Sequence, residues 1–188
     1  MILLAFDQAP KCIGYAYGEP GAVPVRGLHT CNDYGENTAR LGRHVREFAV
    51  DLIKSSGAVR VYFEQILVRR HGLHMPTLWR QFKVASGIET AAELCGLEDA
   101  CFEIDIADWR REFYRGARPP LKTDSQSEAW KDMARRECAR RGWLVEDHNV
   151  AEACGIWFYG CLHSDPATMR QHKIDRDREQ HRREREAA

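Results

Sequence analysis

Apolar positions along the chain follow two different periods, and the switches between them divide it into elements. The first thirty residues hold three short runs: "ILLAFD", near-continuously apolar and closed by Asp7, then "IGYAYGE", then "AVPVRGLHT" after the turn "EPGA". Short apolar and aromatic runs bounded by Pro-Gly signals read as strands, and three in succession with tight turns predict an antiparallel meander. From Asn37 to Lys54 the apolar residues Leu41, Val45, Phe48, Ala49, Leu52 and Ile53 recur at helical spacing. "VRVYFEQI" returns to a strand and again ends on an acid, Glu64. A second helix is predicted from Met75 to Leu97, a fifth strand at "DACFEIDI", and a short helix from Ala107 to Tyr114. After the loop "RGARPPLKTDS", an amphipathic helix runs from Gln126 to Arg141 and stops at Gly142. A last core helix covers roughly Asn149 to His163.

This order predicts a five-stranded mixed α/β sheet, three antiparallel strands plus two parallel ones, flanked by helices. The chain of 188 residues suits one such domain, 1–165. The remainder, 166–188, is so rich in charge that it is expected to be a frayed helix or flexible tail.

Composition removes several classes of function. No apolar run approaches the roughly 18 residues of a membrane span. The N-terminal run lacks a basic flank and is broken by Asp7, so it is expected to be a buried strand rather than a signal peptide. The seven cysteines show no CxxC spacing, which suggests reduced thiols in a cytoplasmic protein rather than disulfides or a zinc site. Formal net charge is zero, so only its distribution bears on nucleic acid. No GxGxxG, GxxxxGK[ST] or GxSxG motif points to a nucleotide-binding or hydrolase-elbow enzyme.

The candidate chemistry lies in acids at the ends of buried strands. Asp7 and Glu64 each close an apolar run, where functional groups of α/β sheets collect. The stretch "VEDHNVAEACGIW" adds Asp147, His148, Asn149 and Glu152 ahead of the last core helix. Asn149 and Glu152 have capping-box spacing, with Asn149 as N-cap. Carboxylates brought together repel and raise one another's pKa, and a hard divalent cation relieves this. Two ions roughly 4 Å apart are the arrangement that phosphodiester hydrolysis uses.

Three motifs carry a resemblance. "LLAFDQAPKCIGYA" looks like the first strand-turn-strand of the RNase H-like superfamily, and of RuvC-type Holliday junction resolvases in particular. "VYFEQI" resembles that family's fourth strand, and "DHNVAEACGIW" its final helix motif, especially in phage-type members. The resemblance covers about Met1 to His163. It implies metal binding by Asp7, Glu64 and Glu152, with Asn149 standing where the family has an acid or His, and Asp147 or His148 placed to complete the site. It implies Mg²⁺ or Mn²⁺ as cofactor, two ions by the family pattern, and Lys122 as the basic residue near the scissile phosphate. Arg110 or Arg111 would fill a second basic position. The implied activity is cleavage of Holliday junctions or other branched DNA by a homodimer, in the host cytoplasm if the chain is phage-encoded.

Charge distribution agrees with a nucleic-acid partner. From Gln65 to Ile88 there is no acid, while Arg69, Arg70, His71, His74, Arg80 and Lys83 all occur. Trp79 is read either as a base-stacking group or as core. Ala85, Ser86, Gly87, Ala91 and Ala92 form a small-residue stripe, the candidate dimer interface or a tight packing face. Two other functions remain open on this sequence: a non-catalytic nucleic-acid-binding module of the same fold, suggested by Asn149, and an RNase H-like nuclease acting on RNA/DNA hybrid.

Overall fold

A computed structural model of the chain describes residues 1–9, 11–31, 37–66, 75–119 and 126–187. Five strands, β1 (Leu3–Gln8), β2 (Cys12–Gly18), β3 (Val25–Thr30), β4 (Arg60–Glu64) and β5 (Cys101–Ile104), form one sheet in the order β3-β2-β1-β4-β5. β1–β2 and β2–β3 pair antiparallel, whereas β1–β4 and β4–β5 pair parallel. The mixed sheet expected from the sequence is therefore present. Six helices accompany it: α1 (Thr38–Ser56), α2 (Met75–Leu94), α3 (Ile106–Phe113), α4 (Gln126–Arg140), α5 (His148–Ser164) and α6 (Pro166–Ala187).

Strand alternation divides the core into two. Leu4, Phe6, Ile13, Val61 and Phe63 point to the face covered by α1 and α2. Leu3, Ala5, Ala16, Tyr62 and Ile104 point to the face covered by α5, where Trp109, Phe113, Trp143 and Trp157 fill the space between helices. β1 is buried along its whole length because it lies in the middle of the sheet with both faces covered. α5 is buried all round, with 12 of its 17 residues inside, which marks it as the central helix.

One sequence expectation changes, for Asn149, and two readings left open narrow. The stripe Ala85, Gly87, Ala91 and Ala92 is buried against α1 of the same chain. A Cβ on Gly87 would sit 3.0 Å from the Gly42 carbonyl and from Val45, so small residues here permit close packing of two helices rather than a dimer contact. Asn149 is not the N-cap of the last core helix. Asp147 is, its carboxylate accepting from the backbone N–H groups of Asn149 (2.8 Å) and Val150 (3.2 Å). The charged segment after residue 165 continues as a helix, and it is not too polar to bury throughout. His172 is buried edge-on against Phe158, ring centroids 5.2 Å apart, and lies 3.3 Å from Glu112.

Candidate active site

Sheet register assembles the acids. Leu3 and Ala5 face α5, so alternation turns Asp7 to the same side. Phe6 pairs with Phe63 across the parallel β1–β4 ladder, which makes Asp7 and Glu64 neighbours one step further along. The Gln8 side-chain amide donates to the Glu64 carbonyl and fixes that step. On the other side Asp7 pairs with Gly14 of β2. A Cβ on Gly14 would lie 2.1 Å from the carbonyl oxygen of Asn149, so only glycine lets the first turn of α5 rest on the strand beside Asp7. That contact brings Glu152 to the two strand acids.

Each carboxylate meets different surroundings. Asp7 is 7 % exposed, and its Oδ2 is buried with no hydrogen-bond partner. Burial, then the charges of Glu152 and Glu64, raise its pKa well above the usual carboxylate range, and Arg110 offsets part of this. Glu64 accepts from the indole N–H of Trp109 at 2.9 Å. Burial and Glu152 push its pKa up to about 7 against the pull of that hydrogen bond and of Arg110. Glu152 accepts from Arg110 Nη2 at 2.9 Å. The Arg110 guanidinium is itself sandwiched, 5.2 Å from the Trp109 ring centroid and 4.7 Å from that of Trp130.

Not every residue singled out in the sequence joins this cluster. Asn149 is buried and points its amide at Cys12 Sγ, 3.0 Å away, not at the acids. The Asp147 carboxylate is engaged in capping, although it lies near enough to raise the pKa of Asp7. Arg111 is exposed and paired with Asp108 at 2.9 Å. Arg80 is half-buried, while Lys83 is exposed and shares a shallow groove between α1 and α2 with Arg43 and Arg46. Trp79 and Phe82 are both exposed on α2, with ring centroids 6.4 Å apart, so neither is a core residue of that helix. Arg69, Arg70, His71, His74 and Lys122 lie outside the described residues.

Two participants escaped the sequence reading. Trp109 is fully buried, its ring against Gly155, where a Cβ would come within 2.7 Å, and its N–H fixes Glu64. Gln8, the polar residue directly after Asp7, is buried and tied to Glu64. The signal for both was local: a Trp following the Asp105 cap of α3, and an amide inside an otherwise apolar strand.

No family model matches the chain, and no curated protein matches it by sequence. Solved structures do. RuvC of Thermus thermophilus in complex with a Holliday junction substrate superposes with a TM-score of 0.60 at 11% identity, covering 85% of this chain and 91% of that one. This is the RuvC fold. A second structure of Thermus thermophilus RuvC gives a TM-score of 0.55 at 14% identity over 85% of this chain and 92% of that one. The likeness spans nearly the whole RuvC chain, so the shared feature is the complete domain rather than one sheet motif. No described helix is long and apolar enough to cross a membrane.

The residues fit a hard divalent cation. The donors are all carboxylate oxygens, which suits Mg²⁺ or Mn²⁺. Asp7 Oδ2 is a buried acceptor without a donor, and the raised pKa values of Asp7 and Glu64 record charge that an ion would neutralise.

Proposed function

We propose that the chain is a Mg²⁺- or Mn²⁺-dependent, structure-selective endodeoxyribonuclease that cleaves four-way junctions or other branched DNA. The observation that supports this best is the convergence of Asp7, Glu64 and Glu152, from β1, β4 and α5, on a RuvC fold. When bound, divalent ions supply a nucleophilic water and stabilise the leaving oxygen of the phosphodiester, yielding 5′-phosphate and 3′-hydroxyl ends. Asp7, Glu64 and Glu152 hold them. Trp109 and Gln8 keep Glu64 oriented, and Gly14 keeps α5 close enough for Glu152 to take part. Arg110 neutralises Glu152 in the metal-free state and lies close enough to the acids to bear on a phosphate held there. Lys122 supplies the second basic group beside the scissile phosphate. Arg69, Arg70, Arg80 and Lys83 make phosphate contacts, and two copies of the chain serve the two strands of a symmetric junction.

A second reading has its own support. The Arg110–Glu152 pair and the diversion of Asn149 to Cys12 together describe a site held closed without metal, as in a binding module that does not cut. A panel of four-way junction, flap, duplex and RNA/DNA hybrid, incubated with Mg²⁺ or Mn²⁺, separates these readings. Metal-dependent nicking of branched DNA supports the nuclease; junction binding without nicking at any Mn²⁺ concentration supports the module; cleavage confined to hybrid assigns a different substrate.

A further inference from the structure

The absence of CxxC spacing argued against a zinc site, yet the fold gathers in space what the sequence disperses. Among the described residues, His29, Cys31 and His44 form a group whose ligand atoms all lie within 4.8 Å of one another. We propose that these three side chains bind one Zn²⁺ or a similarly thiophilic first-row cation, at a site separate from the acidic centre.

Two donors sit on regular elements and the third directly follows one. His29 and Cys31 are two residues apart at the end of β3, so both point to the face covered by α1. His44 comes from α1, and its ring stacks on His29 with centroids 4.6 Å apart. Phe48, one turn further along α1, stacks on His29 at 3.8 Å and 7°, which fixes that ring. The two Nε2 atoms lie 2.5 Å apart, so one ring donates an N–H to the other. Ligand atoms around a tetrahedral zinc stand roughly 3.3 to 3.8 Å apart. An opening of about 1 Å therefore places both nitrogens on one ion.

The Cys31 thiol is fully buried on the face that α1 covers. On coordination Cys31 loses its proton to solvent and the sulfur becomes the metal's thiolate ligand. Three protein donors leave one tetrahedral position for water, which reaches the site past the half-buried histidines. The site lies at the same end of the sheet as Asp7 but on the opposite face, so its donors are not shared with the acids. Its ion would tie the end of edge strand β3 to α1.

Cobalt(II) distinguishes this site from the acidic one, because only thiolate coordination gives an intense near-ultraviolet charge-transfer band. The test is titration of chelator-treated full-length protein with Co²⁺, followed by displacement with Zn²⁺. One equivalent of the band is expected in the wild type, lost in both Cys31→Ser and His44→Ala and retained in Cys95→Ser and in Asp7→Asn, with a Zn²⁺-dependent rise in Tm only in the proteins that keep the band. Far-ultraviolet circular dichroism reports whether each metal-free variant folds, and His44→Ala carries the test if Cys31→Ser does not. A wild type without the band, or a band that survives His44→Ala, overturns the proposal.

Discussion

Arg110 of α3 donates to Glu152 of α5 over 2.9 Å, with both side chains mostly shielded from solvent. The pair sets a cation beside the acids, where it opposes the raised pKa of Asp7 and Glu64. Its partners lie 42 residues apart, so the contact depends on α3 packing against α5 rather than on local sequence.

Removing the guanidinium leaves half-buried Glu152 beside buried Asp7 and half-buried Glu64. Arg110→Gln is expected to cost about 1–3 kcal/mol in the metal-free protein, the penalty for an unsatisfied buried charge. Saturating Mg²⁺ should recover much of that loss, since the ion replaces the cation removed. Urea unfolding with and without Mg²⁺ measures both quantities.

Gly14 makes a second demand on the same helix. Gly14→Ala puts a Cβ 2.1 Å from the Asn149 carbonyl, and backbone on both sides has no flexible side-chain end to yield. A loss of about 3 kcal/mol is expected from the forced shift of α5, together with weaker Mg²⁺ binding as Glu152 moves off Asp7. Denaturant midpoints and calorimetric metal titration report the two effects.

Stability of the metal-free protein should fall as pH rises. The Glu64 carboxyl titrates at about 7 in the fold against an ordinary 4.5, so between these values the folded state holds the extra proton. Its pKa is raised, not lowered. The fold is therefore favoured below the lower value and penalised progressively up to the higher one, with Asp7 adding in the same direction. Mg²⁺ should flatten this slope by favouring the ionised acids. A Tm series across that window, with and without Mg²⁺, checks the sign; a metal-free Tm that climbs through it would be inconsistent with the buried acid cluster.

Lys83 is exposed in a groove with Arg43 and Arg46. If it contacts phosphate, Lys83→Ala should weaken junction binding equally for different junction sequences and reduce the slope of log K against log salt by about 1. Fluorescence anisotropy over a salt series measures it.

The fold was legible because period and punctuation agree along most of the chain. The apolar parts of "ILLAFD" and "VYFEQI" suit a strand covered on both faces, and the acids fall at the strand ends, Glu64 closing β4 and Asp7 one residue before the end of β1. The site was harder where the deciding contacts are long-range. Asp147 and Asn149 are both good N-caps, and the spacing to Glu152 favoured Asn149. What decides otherwise is Gly14, which draws Asn149 down onto β2, and Arg110, which holds Glu152 away from the helix start. Trp109 reads as a core aromatic until its N–H is seen on Glu64. The small residues of α2 spell a close helix contact without saying whose helix supplies the other side. His29, Cys31 and His44 belong to two elements, and no linear spacing announces them.

The central claim is that Asp7, Glu64 and Glu152 form a metal-dependent nuclease centre, and Asp7→Asn tests it most directly. This substitution keeps the shape of the side chain and removes the buried charge. Cleavage of a synthetic four-way junction in Mg²⁺ or Mn²⁺ should be readily detected with the wild type and reduced by about 10³-fold or more in the variant, a loss of roughly 4 kcal/mol in barrier lowering, while junction binding persists. Equal cleavage rates for the two proteins would contradict the account.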